Sequence, residues 1–317
     1  MTLLRFTTLD QLNHQDLEVL NKSDLGQIIN QHFLFNPISQ CYYQEYIGPH
    51  LTAKSLIVFD NDRPVLMMPM LSDVNTYNYA GSPSEIFSLL DQDSLHSAIT
   101  FLAQKLKKSA PGKALTFKDN STLFSALFSQ SHTIKFDHQG SIDLTLSEDL
   151  IYKNVRKSYR PFVNWGRKEL HVNIIDENNP DENKFNSFKN LHVTVSGRQT
   201  RNDATWQAQM NMIKAGFGYL ITANISDELV SGCFVMHDKA TALYAVAASD
   251  RKLMDANLPL NHFPLYSAII EAKRKGCRLF KIGEIDNVTD TKAANIARFK
   301  RGFITDIVTD RIITVQL

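Results

Sequence analysis

The order of predicted elements occurs twice along the chain, and this repeat restricts the folds available to it. In each half, two short apolar runs joined by turn residues precede a helical stretch and then another apolar run. Two apolar runs that flank a polar turn predict a β-hairpin. A hairpin, a helix and a strand in that order predict an α+β unit. The repeat therefore predicts two α+β units of related topology.

The predicted elements lie at corresponding positions in the two halves. The first half contains hairpin runs at residues 56–59 and 65–71, a helix at 94–107 and a strand at 114–117. The second half contains hairpin runs at 219–225 and 230–236, a third strand at 242–248, a helix from Asn257 to Gly276 and a strand at 279–283. A boundary near Leu146 predicts an N-terminal domain of residues 1–145 and a C-terminal domain of residues 146–317. One irregular α+β domain with chance similarity between its halves is the alternative.

The composition excludes several classes of protein. The chain has 317 residues and a net charge of +1, so a general polyanion surface is not expected and DNA is not an expected partner. The three cysteines, Cys41, Cys233 and Cys277, form no paired motif, which argues against a disulfide framework. The N-terminus has no signal-peptide pattern, and no apolar run is long enough for a transmembrane helix. We therefore expect a cytoplasmic protein without an integral membrane segment.

Motifs of several common enzyme classes are absent from the sequence. The chain contains no GxGxxG, GxxxxGK[ST], HExxH or GxSxG. Dinucleotide-binding, P-loop, zinc-protease and α/β-hydrolase functions therefore have no motif support. The ten histidines are scattered, and none is paired with another His or Cys at the spacing of metal ligands. No metal site is expected.

A basic segment follows the predicted domain boundary. Its cations are Lys153, Arg156, Lys157, Arg160, Arg167 and Lys168. Their spacing predicts that the first four lie on one face of a helix, which either Thr145 or Ser147 caps. Such a face could bind the phosphates of a nucleotide, a lipid pyrophosphate or an RNA. A solvated helix face is the alternative.

A second polar segment connects two predicted helices. Residues 192–203 read HVTVSGRQTRND and contain Arg198, Arg201 and several hydroxyl and amide side chains. An anion-binding loop needs donors of this kind. A plain polar loop has a similar composition and is the competing interpretation.

The most specific segment is ARFKRGF at residues 297–303. In it, Lys300 lies between Phe299 and Phe303, and a partly desolvated ammonium at this position would stabilise a developing oxyanion. The alternative is an amphipathic helix end from which the lysine extends into water.

Several of these segments together resemble the FemABX-type transferases and their acetyltransferase-like relatives. The resemblance is carried by ALYAVAAS at residues 242–249, PLNHFPLYSAIIEAKRKGCRLFKIGEID at 259–286 and the FKxGF motif at 299–303. NVRKSYRPFVNWGRKELHV at 154–172 is similar to the helix that opens the C-terminal lobe of these enzymes. Residues 1–145 match in general pattern, including GSPSE at 81–85. The resemblance implies an α+β protein of two tandem acetyltransferase-like (GNAT-type) lobes, each with a mixed, mostly antiparallel sheet and flanking helices.

The resemblance also implies which residues act. FemABX enzymes transfer amino acids from aminoacyl-tRNA to the peptide amine of a peptidoglycan precursor, and they need no metal. The lysine of their FKxGF motif, which stabilises the tetrahedral intermediate, corresponds to Lys300. The arginine that contacts acceptor phosphates corresponds to Arg201, with Arg198 as the second match. The other substrate-binding residues assigned here are Arg156, Arg160, Phe299, Tyr244 and His262.

Two departures from the family leave the acyl donor open. The chain lacks the long helical arm that contacts tRNA in some FemABX enzymes, and it lacks the [QR]xxGx[GA] loop that binds acetyl-CoA in ordinary acetyltransferases. We expect an acyl- or aminoacyltransferase that forms an amide on a nucleotide- or lipid-linked amine acceptor in cell-wall or surface-polysaccharide precursor metabolism. Its donor would be aminoacyl-tRNA or acyl-CoA as a co-substrate, with no bound cofactor. The alternatives are an acyl-CoA-dependent N-acyltransferase acting on a nucleotide-linked amino sugar, and a catalytically inert protein that binds a nucleotide sugar or an RNA.

Overall fold

A computed structural model of the chain describes residues 4–47, 50–79, 83–128, 130–286 and 291–317. Two residues of the GSPSE segment, Gly81 and Ser82, and the linker at 287–290 lie outside these ranges. The chain divides into two compact units, of which the first comprises residues 1–137 with 310–317 and the second residues 138–309. The predicted domain ranges stay a prediction, because compactness does not establish which segment folds independently.

The first unit combines helices with short strands. Its helices are α1 (His14–Lys22), α2 (Asp24–Gln31), α3 (Pro37–Ile47), α4 (Gln92–Ser109) and α5 (Ser121–Leu127). Its strands are β1 (Leu4–Thr8), β2 (Thr52–Ala53), β3 (Leu56–Asp60), β4 (Arg63–Met68), β5 (Leu71–Ser72), β6 (Thr76–Asn78), β7 (Phe87–Ser88), β8 (Ala114–Lys118) and the first part of β9 (His132–Asp143). Strands β1, β3, β4 and β7 form one sheet in that order. β8 pairs with β6 on one side and with residues 312–316 on the other.

The hairpin and the helix predicted for the first half are present. β3 and β4 pair antiparallel, and α4 buries Ile99, Leu102 and Leu106 against the same apolar core. The predicted run at 65–71 is divided between β4 and β5. Pro69 lies at the break, where it has no N–H to donate to a neighbouring strand.

The second unit is built on one continuous set of paired strands. Its helices are α6 (Glu148–Asn154), α7 (Arg160–Glu169), α8 (Glu182–Ser196), α9 (Asp203–Lys214), α10 (Arg251–Asp255), α11 (His262–Arg274) and α12 (Thr291–Lys300). Its strands are β10 (His171–Ile175), β11 (Gly218–Ile225), β12 (Glu228–His237), β13 (Thr241–Ser249), β14 (Leu279–Glu284) and the first part of β15 (Asp306–Gln316). The order is β10-β11-β12-β13-β14-β9. The pair β13–β14 is parallel, and the other pairs in this order are antiparallel.

Helix α11 covers one face of this sheet. Its buried residues include Leu265 and Ile269, which share a core with Tyr219 of β11 and Phe280 of β14. The hydroxyl of Tyr219 donates to the carbonyl oxygen of Ala268 at 2.6 Å, so the one polar atom of that buried ring is satisfied by the helix. The position of α11 relative to the strand ends is thereby fixed.

Two predicted helix starts are decided by the structure. Ser147 caps α6, because its hydroxyl accepts the N–H of Leu150 at 3.3 Å. The helix predicted to begin at Asn257 begins at His262 instead. Asn257 has φ = 67° and follows the short helix α10, so this residue ends one helix rather than starting the next.

The single basic helical face predicted between residues 153 and 160 is wrong. α6 ends at Asn154 and α7 begins at Arg160, so Arg156 lies in the turn between them. The backbone N–H of Arg156 donates to the carbonyl oxygen of Gly302 at 2.7 Å. At Arg156, a hydrogen bond to a distant residue thus replaces the hydrogen bond that a continuous helix would make. The four cations are therefore distributed over two helices and the turn between them.

Candidate active site

Strands β13 and β14 separate part of the way along their length. They pair at Thr241, Ala242 and Leu243, yet β13 continues to Ser249 and β14 to Glu284. Beyond Leu243, no pairing joins these two strands in the described part of the second unit. The separation leaves an opening in the sheet between the carboxyl ends of two parallel strands, where ligands of open α/β sheets characteristically bind.

Irregular pairing on both strands accounts for this separation. On β13, Tyr244 faces Val235 and Val246 faces Phe234, which leaves Ala245 as an extra residue. On β14, the register with β9 shifts between Lys281 and Gly283. A bulge bends the strand that carries it. Two irregularities at the same level therefore turn the strands away from each other.

The end of α12 is attached to the end of β14 by two consecutive cations. The ammonium of Lys300 donates to the carbonyl oxygen of Glu284 at 3.2 Å. The guanidinium of Arg301 donates to the carbonyl oxygen of Ile285 from Nε at 3.0 Å and from Nη2 at 2.6 Å. Glu284 is three residues beyond Lys281, the last residue of β14 that pairs with β13. Lys300 therefore lies at the opened end of the β13–β14 pair.

Glycine is required at two positions around this lysine. A Cβ on Gly302 would lie 2.0 Å from Cε2 of Tyr159, so the ring of Tyr159 occupies the space that a side chain would need. Gly283 has φ = 85°, a conformation that other residues rarely adopt. A Cβ on Gly283 would also lie 3.2 Å from the Lys300 ammonium. Both glycines thus permit the close packing of α12 against its neighbours.

A cluster of aromatic rings lies beside the lysine. His262, the first residue of α11, is 4.6 Å from Tyr159, 4.9 Å from Phe162 and 5.2 Å from Phe299 between ring centroids. Phe303 is 5.4 Å from Phe299 and is fully buried. The two phenylalanines of the FKRGF segment therefore hold α12 against α7 and α11. The ammonium of Lys300 points to the end of β14, where its described hydrogen bond lies.

The electrostatics of the cluster follow from burial. Burial lowers the pKa of Lys300 below its ordinary value, and the carboxylate of Glu284 acts in the opposite direction. Burial lowers the pKa of His262 to about 4, so this imidazole is neutral at physiological pH. The Nδ1 atom of His262 is buried and has no hydrogen-bond partner among the described residues. Lys300 thus presents a partly desolvated ammonium at the end of β14, and His262 is a neutral ring within the aromatic cluster.

Arg156 belongs to this cluster, whereas Arg160 faces the end of α6. Arg156 donates to the hydroxyl of Tyr159 at 3.1 Å, and its guanidinium stacks 4.8 Å from the centre of that ring. Arg160 donates to the carbonyl oxygens of Val155 and Lys153. The described bonds of Arg160 therefore close the C-terminus of α6, and its predicted role in substrate binding stays a prediction.

The predicted anion-binding loop lies between α8 and α9, and it holds its two arginines differently. Arg201 donates from Nη1 to Nε2 of His192 at 3.2 Å and lies 5.7 Å from the ring centre of Trp206. Burial, with the Arg201 cation beside it, lowers the pKa of His192 to about 4. Arg198 is exposed and forms no hydrogen bond or ion pair with described residues. Arg201 is thus held in place, while Arg198 is in solvent.

The loop lies at the carboxyl end of β13, whereas Tyr244 lies within that strand. Arg251, the first residue of α10, donates to the carbonyl oxygen of Val195 near the end of α8 at 3.1 Å. Since α10 directly follows β13, this bond places the loop at the carboxyl end of that strand. Tyr244 lies at the β13 irregularity and packs against the core beneath α11. Burial raises the pKa of its hydroxyl.

Sequence reasoning missed Tyr159, Phe162 and the pair Gly283–Glu284. Tyr159 was visible within NVRKSYRPF, three residues after Arg156, but nothing in the local pattern marks it as a contact of Gly302. The Gly283–Glu284 pair lies at the end of a predicted strand, where an isolated glycine indicates a bulge or a close approach of another group. Gly283 is therefore the signal in the sequence that marks this pair.

The described ranges contain neither a metal-binding cluster nor a membrane-spanning helix. No three His, Cys, Asp or Glu side chains within them come together as a group that could hold a metal ion. No helix in the same ranges is long and apolar enough to cross a membrane.

Comparison with known proteins supports the fold. No protein-family model and no curated protein sequence matches the chain. Among solved structures, FemX is similar at 12% identity and a TM-score of 0.66, with 96% of this chain and 97% of FemX covered. The C-terminal domain of a putative lysylphosphatidylglycerol synthetase from Agrobacterium fabrum has 11% identity and a TM-score of 0.62, with 95% and 92% covered.

A tandem acetyltransferase structure gives the same result. The tandem GNAT protein from the clavulanic acid biosynthesis pathway has 14% identity and a TM-score of 0.50, with 99% of this chain and 98% of that protein covered. The predicted fold, a tandem acetyltransferase-like α+β architecture of FemABX type, is thereby confirmed.

Proposed function

We propose that the second unit is the catalytic unit of an aminoacyltransferase that forms an amide on an amine acceptor in cell-envelope metabolism. The observation that carries the proposal is the position of Lys300, a partly desolvated ammonium at the opened end of the β13–β14 pair. The similar fold of FemX and of the lysylphosphatidylglycerol synthetase domain, whose name denotes attachment of lysine to a phospholipid, supports an aminoacyl group and an envelope acceptor. Family resemblance in the FKRGF segment supports the same role for Lys300.

The proposed reaction needs positioning and charge stabilisation. The acceptor amine attacks the ester carbonyl carbon of the donor, a C–N bond forms, and the C–O bond to the leaving hydroxyl breaks. The proton lost by the amine passes to the leaving oxygen, so no protein base is required. Lys300 donates to the oxyanion that develops on the carbonyl oxygen, where a preorganised donor acts more strongly on the transition state than on the ground state. Lysine has three N–H donors, and the bond to Glu284 uses one of them.

The other predicted residues are assigned supporting roles. Phe299, His262 and Tyr244 would form the walls of the donor site, and Arg156 would bind phosphate near the aromatic cluster. Arg201, oriented by His192, would hold the phosphate of a nucleotide- or lipid-linked acceptor, because a guanidinium matches phosphate geometry. Arg198 would assist from solvent. The donor enters as a co-substrate, so no resident cofactor is part of the proposal.

A two-donor transfer experiment tests this function. The protein is incubated with tRNA charged with labelled amino acids, or with labelled acetyl-CoA. Each donor is offered a peptidoglycan nucleotide precursor, a nucleotide-linked amino sugar and phosphatidylglycerol vesicles. We expect label to leave the aminoacyl-tRNA and to appear in an amide on one of the two amine acceptors, and Lys300→Met protein to transfer little. Label on phosphatidylglycerol alone would contradict the amine acceptor.

Two other outcomes identify the alternatives. Transfer from acetyl-CoA alone would assign the chain to the acyl-CoA-dependent N-acyltransferases. No transfer from either donor, together with a rise in melting temperature on adding a nucleotide sugar or RNA, would indicate a binding protein, because a bound ligand stabilises the folded state by mass action.

A further inference from the structure

The carboxylate of Glu284 is the acidic group nearest along the chain to the lysine contact. Glu284 is the last residue of β14, and its own carbonyl oxygen accepts the Lys300 hydrogen bond at 3.2 Å. Its side chain is exposed, and its carboxylate forms no hydrogen bond or ion pair with described residues. Asp286, two residues later, is 3.5 Å from His138 and 3.9 Å from Arg301. Of these two carboxylates, Glu284 is the one without an ion-pair partner within 4 Å among the described residues.

The charges around Lys300 bear on which donor can enter. An aminoacyl ester carries an α-ammonium on the carbon next to its reacting carbonyl. When the carbonyl oxygen contacts Lys300, that ammonium lies within a few ångströms of a second cation, and like charges at such distances repel. A neighbouring carboxylate offsets the repulsion and accepts hydrogen bonds from the ammonium. The acyl group of a simple acyl-CoA has no such cation and needs no carboxylate there.

We propose that Glu284 is a specificity-determining residue, whose carboxylate binds the α-ammonium of an aminoacyl donor while Lys300 binds the adjacent carbonyl oxygen. This inference rests on the proposed function and selects between its two classes of donor. The arrangement uses one segment, Gly283–Glu284, for both tasks. Its backbone oxygen positions the lysine, and its side chain balances the charge of the substrate.

A matched pair of donor analogues isolates this one charge. The first is 3′-glycylamino-3′-deoxyadenosine, a stable amide that carries the α-ammonium. The second is 3′-glycolylamino-3′-deoxyadenosine, which has a hydroxyl in its place. Binding of each to the full-length protein is measured by calorimetry at pH 6.5 and low salt. We expect wild type to prefer the glycyl compound by about five- to tenfold, the size of an ion pair that is partly exposed.

Variants of the two carboxylates show where the preference comes from. Glu284→Gln keeps the shape of the side chain and removes its charge, and we expect it to bind both analogues about equally. Asp286→Asn, the control, should keep the wild-type preference, because that carboxylate already has His138 and the guanidinium of Arg301 as neighbours. The wild-type preference should also fall as pH rises through the pKa of the α-ammonium, which is about 8 in model compounds.

Failure of this inference can be distinguished from failure of the proposed function. Equal binding of the two analogues by wild type, or an unchanged preference in Glu284→Gln, overturns the role of Glu284 while the aminoacyl donor stands. If wild type binds neither analogue but binds coenzyme A, the aminoacyl donor is wrong and the inference is overturned with it.

Discussion

Replacing Lys300 by methionine separates a chemical role from a structural one. Methionine keeps much of the apolar stem and removes the charge. The substitution deletes one described hydrogen bond, to the carbonyl oxygen of Glu284, worth about 1 kcal/mol of folding free energy. It also removes the cost of burying part of an ammonium, which the lowered pKa of Lys300 reflects. The two changes oppose each other, so the melting temperature should change little.

The effect on the rate should be much larger. Removing one preorganised oxyanion donor costs about 10²–10³ in kcat, or about 2.7–4 kcal/mol of transition-state stabilisation. KM should change less, because the donor acts mainly on the transition state. Lys300→Arg should rescue weakly. A planar guanidinium places its charge differently from a compact ammonium.

Arg301→Met is the matched control for this experiment. Arg301 is the next residue, is also cationic, and makes two hydrogen bonds to Ile285 where Lys300 makes one to Glu284. Its loss should lower the melting temperature more than the loss of Lys300 and should lower the single-turnover rate less. Both variants are measured for melting temperature and single-turnover transfer on one preparation. A normal rate in Lys300→Met, or an equal loss of rate in Arg301→Met, would refute the catalytic role.

Three further predictions concern the surroundings of the lysine. Gly302→Ala should destabilise the protein by about 1–3 kcal/mol in chemical denaturation, because its Cβ would lie 2.0 Å from Cε2 of Tyr159; an unchanged midpoint would contradict this packing. His262 has a folded pKa of about 4 against an ordinary 6.5, so the unfolded chain binds more protons between these values and stability should rise as pH increases from 4 to 6.5. His262→Phe should reduce that rise in a series of melting temperatures, and an identical pH profile would argue against the burial. His192→Phe removes the hydrogen-bond acceptor of Arg201. In steady-state kinetics it should raise KM for the phosphate-bearing substrate about three- to tenfold at unchanged kcat. Recovery of KM in His192→Gln would identify the lost acceptor as the cause.

The regular helices and strands could be predicted from periodicity, because the residues that stabilise each of them lie within or next to it in the sequence. The hairpin of β11 and β12 and the helix α4 combine a repeating apolar face with local turn or capping residues. The turn at Arg156 was not predictable in the same way. Its spacing matches a helix, and the helix ends there because Gly302, far along the chain, accepts the backbone hydrogen bond. Tertiary bonds of this kind leave no trace in local periodicity.

Lys300 could be singled out from the sequence as a candidate, whereas the geometry around it could not be predicted. The FKRGF segment pointed to Lys300, and the resemblance supplied a role. The sequence suggested that flanking phenylalanines would surround the ammonium. In the structure the rings pack on Tyr159 and His262, while the ammonium reaches the backbone of Glu284. Which way a side chain points at the end of a helix depends on what that end contacts, and here the contact is a strand end that is remote in sequence.

The structure also explains why a match to FKRGF does not by itself establish catalysis. Phe299 and Phe303 join α12 to the aromatic cluster, Arg301 fixes its end to Ile285, and Gly302 admits the ring of Tyr159. These four positions would be needed for packing in an inert protein of the same fold. Lys300 differs from them, since its described contribution to packing is one hydrogen bond made at the cost of partly burying a charge. Folding alone gives little reason for an ammonium at this position, which supports the catalytic role proposed for Lys300 at the opened end of the β13–β14 pair.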